Sequence, residues 1–180
     1  FHVRFSDVAR GGIRVIKSSS KTVWMRNAET LFQENYNLAY TQEKKNKDIP
    51  EGGSKGTVLL LPQHQENVKI AFKKYVDTLL DLLLLDREGV VSHYKGEEIL
   101  FLGPDENSAD MMDWAALHSK ARGWPYWKGM TTGKSPELGG IPHDTYGMTT
   151  QSVHETAMGI LRKLGLKEEN ITKVQTGGPD

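Results

Sequence analysis

The 180-residue sequence predicts an α/β fold, a mostly parallel or mixed sheet flanked by helices. Two short apolar runs, Val58-Leu59-Leu60-Leu61 and Ile99-Leu100-Phe101-Leu102, have the length and composition of strands buried on both faces. Each is followed by a stretch whose apolar residues recur at helical spacing. Strand and helix patterns alternate along the chain, with no internal repeat and no low-complexity tract.

The chain opens with His2, Arg4 and Ser6 interleaved with Val3, Phe5 and Val8, then passes Gly11-Gly12 into Ile13-Arg14-Val15-Ile16. This reads as two strands around a tight glycine turn. From Thr22 to about Thr41, Val23, Ala28, Leu31, Phe32, Asn35 and Leu38 sit near helical spacing, with Ser20 placed to cap the start. A polar, lysine-rich loop leads to Pro50. Pro62 stops the first buried run, and a long helix is expected from about Gln63 to Leu85. Its apolar stripe is Val68, Phe72, Tyr75, Val76, Leu79 and Leu83. The second run ends at Gly103-Pro104-Asp105, and Asp110 to Ala121 reads as another helix. A loop rich in glycine, proline and aromatics covers about Arg122 to Pro142. A helix then fits Thr149 to Leu164, and Ile171-Thr172-Lys173-Val174 starts a new strand.

Composition narrows the function classes. Lysine plus arginine equals aspartate plus glutamate at 23 each, so no overall field draws the chain to nucleic acid or a membrane surface. A charged ligand must therefore be recognised locally. The absence of cysteine excludes disulfides, thiolate metal sites and cysteine nucleophiles, and fits an intracellular, reducing setting. The longest apolar stretch, residues 79–85, is broken by Asp81 and is far shorter than the roughly 18 residues of a spanning helix. The sequence starts at Phe1 without a signal pattern and stops at Gly177-Gly178-Pro179-Asp180, directly after a strand-like run. Both ends read as cuts through a longer protein.

The most informative segment is Lys47-Asp48-Ile49-Pro50-Glu51-Gly52-Gly53-Ser54-Lys55-Gly56-Thr57. Three glycines around one lysine let a ligand approach both the backbone amides and the ammonium group. A lysine held there is partly desolvated, which suits proton transfer near neutral pH. The alternative is a glycine-rich turn with a solvated lysine, and local composition by itself favours the turn. Asp105 lies at the carboxyl end of the second buried strand, where ligands of open α/β sheets gather. Facing an ammonium across a cleft, it could pass a proton to or from a reacting amine. Alternatively, Asp105 or Asn107 caps the following helix.

Arg10, Gly11, Gly12 and Arg14 form a second glycine-flanked cationic cluster, and Lys44, Lys45 and Lys47 form a third. Cations converging through separate glycine segments suit a small substrate with two carboxylates. Other signals carry less. Gly129-Met130-Thr131-Thr132-Gly133-Lys134-Ser135 has three residues between its glycines where a phosphate-binding P-loop has four, and no strand precedes it. The six histidines show no metal-ligand spacing. Trp124, Tyr126 and Trp127 lack surrounding basic residues and read as packing aromatics.

Taken in order, Arg10-Gly11-Gly12-Ile13-Arg14, Pro50 to Gly56, Gly103-Pro104-Asp105-Glu106-Asn107, Thr132-Gly133-Lys134 and Gly139-Gly140 resemble successive motifs of the glutamate, leucine, phenylalanine and valine dehydrogenase superfamily. The resemblance covers almost the whole chain. Lys47 to Thr57, Gly103 to Gly123 and Thr131 to Thr150 are most similar to the large NAD-specific glutamate dehydrogenases.

The resemblance implies NAD-dependent oxidative deamination of L-glutamate to 2-oxoglutarate and ammonia, with Lys55 and Asp105 as the catalytic pair. Lys55 would activate water or the substrate amine and Asp105 would shuttle the amine proton. Arg10, Gly11, Gly12, Lys45 and Gly53 would bind substrate. Lys45 is expected at the α-carboxylate, with Lys44 and Lys47 as alternatives. Arg10 stands where the small glutamate dehydrogenases place a lysine for the side-chain carboxylate. On the cofactor side, Thr149 or Thr145 would lie near the nicotinamide, and Gly177-Gly178 would open a phosphate-binding turn.

Residues 1–142 would then form a substrate-binding catalytic domain, and residues 143–180 the first helix and strand of an incomplete NAD-binding Rossmann domain. A homo-oligomer in the cytoplasm or mitochondrial matrix is expected, with small-molecule substrates and no nucleic acid, membrane or metal partner. The alternatives are a related amino-acid dehydrogenase with another substrate, or a non-catalytic regulatory segment that keeps the fold. Arg10 argues against an apolar substrate, which would leave that cation unpaired.

Overall fold

The computed structural model describes residues 1–84, 96–172 and 174. Four strands form one mixed sheet, in the order β1-β3-β2-β4: β1 (His2–Arg4), β2 (Val8–Ile16), β3 (Gly52–Leu59) and β4 (Ile99–Pro104). β2 runs parallel to β3 on one side and to β4 on the other, and β1 closes the far edge antiparallel to β3. Two of the long helices fall on opposite faces of this sheet. α1 (Lys21–Glu43) packs on the face carrying Lys55 and Thr57, while α2 (Val68–Leu84) and α3 (Met112–Ala121) cover the other.

The start of α1 follows its capping chemistry, since the Ser20 hydroxyl accepts a hydrogen bond from the Val23 amide at 3.2 Å. Its buried line is Leu31, Asn35 and Ala39, spaced by four residues, whereas Phe32 stays exposed. α2 begins later than the apolar spacing suggests, because Pro62–His64 forms a separate 3₁₀ turn. Phe72, Val76 and Leu80 form its buried line, and Val68, Tyr75, Leu79 and Leu83 pack at the margin. They meet Ala9, Ile13, Val15, Leu100 and Leu102 from alternate positions of β2 and β4, with Met112 and Ala115 of α3 completing the core. Leu85, the expected end of α2, lies outside the described residues.

Two expectations fail at glycines. Gly11-Gly12 is not a turn; both residues lie inside β2, whose pairing with β4 runs unbroken from Val8↔Ile99 to Ile13↔Pro104. β1 consequently pairs with β3, not with its sequence neighbour. Likewise the strand expected at Val58 begins at Gly52. Glycine weakens an isolated strand, but here β1 and β2 supply partners on both sides and the Glu43 carboxylate accepts from the Gly53 amide at 2.6 Å. Burial on both faces is also incomplete in this run: Leu60 is buried, but Val58 and Leu59 are partly exposed and Leu61 lies past the strand.

The 122–142 segment contains 3₁₀ turns at Trp127–Gly129 and Pro136–Leu138. The Met130 carbonyl accepts from the Leu102 amide at 2.7 Å, so this segment covers part of the open edge of β4.

The chain divides into two compact units, Phe1–Gly140 and Ile141–Asp180. The second contains α4 (His143–Tyr146) and α5 (Met148–Leu164), which stops at Gly165 in the left-handed region with φ 66°. The strand expected at Ile171 is not formed at Ile171, Thr172 or Val174. A strand requires a ladder partner, and none of the described residues supplies one there. Lys173 and residues 175–180, including Gly177 and Gly178, lie outside the described residues.

Candidate active site

Lys55 projects from the middle of β3, on the face that carries α1, not from a turn before the strand. Its side chain is 12% exposed, and its ammonium group donates to the Asp105 carboxylate. Asp105 follows the last residue of β4 and is brought over the sheet centre because β4 ends opposite Ile13 of β2. The backbone there is tied to β2. The Asp105 amide donates to the Ile13 carbonyl at 3.2 Å, the Val15 amide to the Glu106 carbonyl at 2.9 Å, and Asn107 Nδ2 to the Val15 carbonyl at 2.8 Å. Ser108 Oγ donates to the Ile13 and Asp105 carbonyls, each at 2.9 Å. Asn107 adopts φ 56°, a conformation asparagine tolerates better than most residues. Neither Asp105 nor Asn107 makes a side-chain cap on the following helical turn.

Gly12 lies beneath this pair. A Cβ built there would fall 1.6 Å from Asp105 Oδ2 and 2.7 Å from Lys55 Nζ. Gly11 is equally constrained on its own side, where a Cβ would fall 1.6 Å from the Ser54 carbonyl oxygen. Both glycines thus serve close approach, not chain reversal.

Gly11, Gly12, Ser54, Lys55 and Asp105 line one cavity of about 260 Å³ together with Leu38, Thr41, Gln42 and Lys45. These last four come from the end of α1 and the residues just after it. Spacings of three and four place Leu38, Thr41 and Gln42 on one stripe of α1, and Lys45 follows just past the Lys44 cap. The contribution of Thr41, Gln42 and Ser54 was not anticipated from sequence. The signal for the first two was present, since they continue the stripe that starts at Leu38.

The three loop lysines separate clearly. Lys45 lines the cavity, Lys44 lies over the Tyr40 ring at 5.2 Å, and Lys47 donates to Glu51 at 2.9 Å. Arg10 does not line the cavity; its guanidinium faces the Glu51 carboxylate at 3.7 Å. Its charge is therefore matched within the protein, and the argument that an apolar substrate would strand it does not hold. Gly53 is also absent from the cavity lining. A Cβ there would fall 2.2 Å from the Ala39 carbonyl oxygen and 2.3 Å from the Glu43 nitrogen, so its bareness makes room for α1. Arg14 pairs with Glu34 at 2.8 Å.

Elsewhere, Lys134 of the P-loop-like segment is buried and donates to the Thr131 carbonyl at 2.6 Å. Burial shifts its titration below the ordinary lysine value. Gly133 packs on Pro104. Trp124 is a core residue, and Trp127 lies under the Lys120 ammonium at 4.7 Å. Among the described residues no group of three or more histidine, aspartate or glutamate side chains is placed to hold a metal, and no helix is long and apolar enough to cross a membrane. Thr145 and Thr149 are exposed residues of the second unit, at α4 and at the start of α5.

Comparison with known proteins gives one consistent result. The whole chain matches part of a protein named NAD-specific glutamate dehydrogenase from Neurospora crassa at 60% identity, covering 18% of that protein. A protein named Glutamate dehydrogenase 2 from Dictyostelium discoideum matches at 59% identity with 17% of its length covered. A Saccharomyces cerevisiae protein named NAD-specific glutamate dehydrogenase matches at 49%, again with 17% covered. The chain thus spans less than a fifth of these relatives. No family model and no solved structure matches.

Proposed function

We propose that this chain, homologous along its whole length to one segment of the large NAD-specific glutamate dehydrogenases, supplies the amino-acid side of an active site that oxidatively deaminates L-glutamate. The observation that carries this reading is the Lys55–Asp105 hydrogen bond over Gly12, inside a cavity that also presents Lys45 and Gln42. A cavity of about 260 Å³ is slightly below the roughly 300–1,000 Å³ typical of drug-sized ligand sites. It suits a small amino acid.

In this reading the Lys45 ammonium holds the substrate α-carboxylate, and Gln42 supplies an amide from the last turn of α1. The amine lies between Lys55 and Asp105. Asp105 takes a proton from it as hydride leaves the α-carbon, so the carbon–nitrogen single bond becomes an imine. Lys55 then orients a water for attack on the imine carbon, and Asp105 returns its proton to the departing nitrogen. The products are 2-oxoglutarate and ammonia. NAD, when bound, supplies the hydride acceptor. Thr149 and Gly177-Gly178 of the second unit are the candidates to hold it, which makes residues 1–142 the substrate domain and 143–180 the beginning of a Rossmann domain. The preference for glutamate over another amino acid rests on the similarity to the named enzymes, because Arg10 already has Glu51 as its partner.

The test uses the full-length protein and follows NADH formation with L-glutamate. Wild type should reduce NAD, and Lys55→Ala should lower kcat by roughly 10²–10⁴-fold while remaining folded. Unchanged turnover in the variant would remove Lys55 from the chemistry. No glutamate-dependent reduction by wild type would overturn the function itself.

A further inference from the structure

The last turn of α1 closes on a carboxylate, against the electrostatics of a helix end. A helix C-terminus carries partial negative charge and favours cations. The final turn of α1 nevertheless has no basic residue and ends with Glu43. The opposing contribution is a hydrogen bond to the sheet, in which Glu43 Oε2 accepts from the Gly53 amide of β3 at 2.6 Å. With an ionised acceptor, this is a charge-assisted contact. Two glycines make the approach possible. A Cβ at Gly52 would fall 2.6 Å from Glu43 Oε2, and one at Gly53 would fall 2.3 Å from the Glu43 nitrogen and 2.9 Å from the Gln42 carbonyl carbon. The end of α1 and the start of β3 are thus locked together by one carboxylate and two missing side chains.

The lock stands next to the cavity on both of its sides. Gly53 precedes Lys55 by two residues, so it shares the sheet face of Lys55 about 7 Å away along β3. Lys45 follows Glu43 by two residues, past the Lys44 cap. The Lys45 amide donates to the Gln42 carbonyl at 3.3 Å. Its ammonium has no ion-pair or hydrogen-bond partner among the described residues, although Lys45 lines the cavity. Without a partner to hold it, that ammonium is placed only by the backbone that carries it. The Glu43 contact fixes this backbone relative to Lys55.

We propose that Glu43 is a positioning residue for substrate binding: clamped on the Gly53 amide, it fixes the end of α1 against β3 and so sets the span between Lys45 and Lys55 that an amino acid bridges with its α-carboxylate and its amine. Glu43 touches no substrate and acts through Lys45. Its role rests on the proposed dehydrogenase reading, with Lys45 at the α-carboxylate.

The experiment is a double-mutant cycle in the full-length protein, following NADH formation as L-glutamate is varied. Lys45→Ala tests the underlying reading separately and should raise KM for glutamate about tenfold or more. An unchanged KM would remove Lys45 from substrate binding, and Glu43 with it. With Lys45 in place, Glu43→Ala should raise that KM about tenfold and hold kcat within about threefold. In the Lys45→Ala background the same substitution should change KM by less than about threefold. Glu43→Gln keeps an acceptor oxygen for the Gly53 amide and should restore most of the wild-type KM. An equal rise in both backgrounds would overturn the proposal, because a merely structural Glu43 acts whether or not Lys45 is present. No rise in either background, or no rescue by glutamine, would overturn it too. Should Glu43→Ala not fold, Glu43→Asp, one methylene short of the same bond, carries the cycle: a KM rise confined to the Lys45 background supports the proposal, and any other pattern overturns it.

Discussion

The Asp105 carboxylate accepts a hydrogen bond from the Lys55 ammonium directly over Gly12, at a point where a single methyl group has no room. Neither partner reaches the other through sequence proximity. β3 carries the lysine, the end of β4 carries the aspartate, and β2 runs between them as a bare glycine step.

Gly12→Ala should therefore disable the site and spare the fold. The new Cβ would lie 1.6 Å from Asp105 Oδ2, a side-chain atom that can rotate away, so the pair separates while the strand stays paired. The expected result is a fall in kcat/KM of about 100-fold or more. Steady-state kinetics beside a thermal melt decide it, and near-normal activity in a folded variant would contradict the geometry.

Gly53→Ala should do the reverse. Here the Cβ would meet backbone atoms of α1, the Ala39 carbonyl oxygen at 2.2 Å and the Glu43 nitrogen at 2.3 Å. Neither can rotate aside, so the helix must lift from the sheet. A loss of about 1–3 kcal/mol, as for other overpacked sites, is expected in chemical denaturation. A variant as stable as wild type would show that α1 is seated differently.

Asn35 links the buried face of α1 to the strand that carries Lys55. Its Nδ2 donates to the Lys55 carbonyl at 2.9 Å, and its Oδ1 accepts from Thr57 Oγ1 at 2.7 Å. Asn35→Leu should destabilise by about 1–3 kcal/mol because the Thr57 hydroxyl loses its acceptor inside the core. Adding Thr57→Val should recover part of that loss, a coupling that a double-mutant cycle measures directly. Strict additivity would deny the link.

A pH effect is expected from β1. Burial first, and the neighbouring Arg4 second, hold His2 at about 4 instead of the ordinary 6.5. His2 Nδ1 and the Tyr75 hydroxyl lie 2.6 Å apart. Between those two values the unfolded chain takes up a proton that the folded chain refuses. Stability should thus be complete above pH 6.5, fall as pH drops toward 4, and level off below it. Replacing His2 with glutamine should flatten the denaturation midpoint across that window. An unchanged pH profile would mean that His2 does not stay neutral in the fold.

The sequence by itself determined the α/β alternation, the Ser20 cap and Phe72 and Val76 of the buried line of α2, though not Leu80, because helical spacing, capping and buried apolar runs are local patterns. It also pointed to Lys55, Asp105 and Lys45 through glycine context, strand-end position and resemblance to a known family. Tertiary structure decided the rest. Whether a glycine pair turns the chain or runs through a sheet depends on which strands flank it, and only the β1-β3-β2-β4 order placed Gly11, Gly12 and Gly53 inside strands. Which of Lys44, Lys45 and Lys47 faces the cavity depended on how α1 ends against β3, and Arg10 went to Glu51 because a buried carboxylate lay within its reach. These outcomes depend on contacts between residues distant in the chain, and local composition contains no record of those contacts.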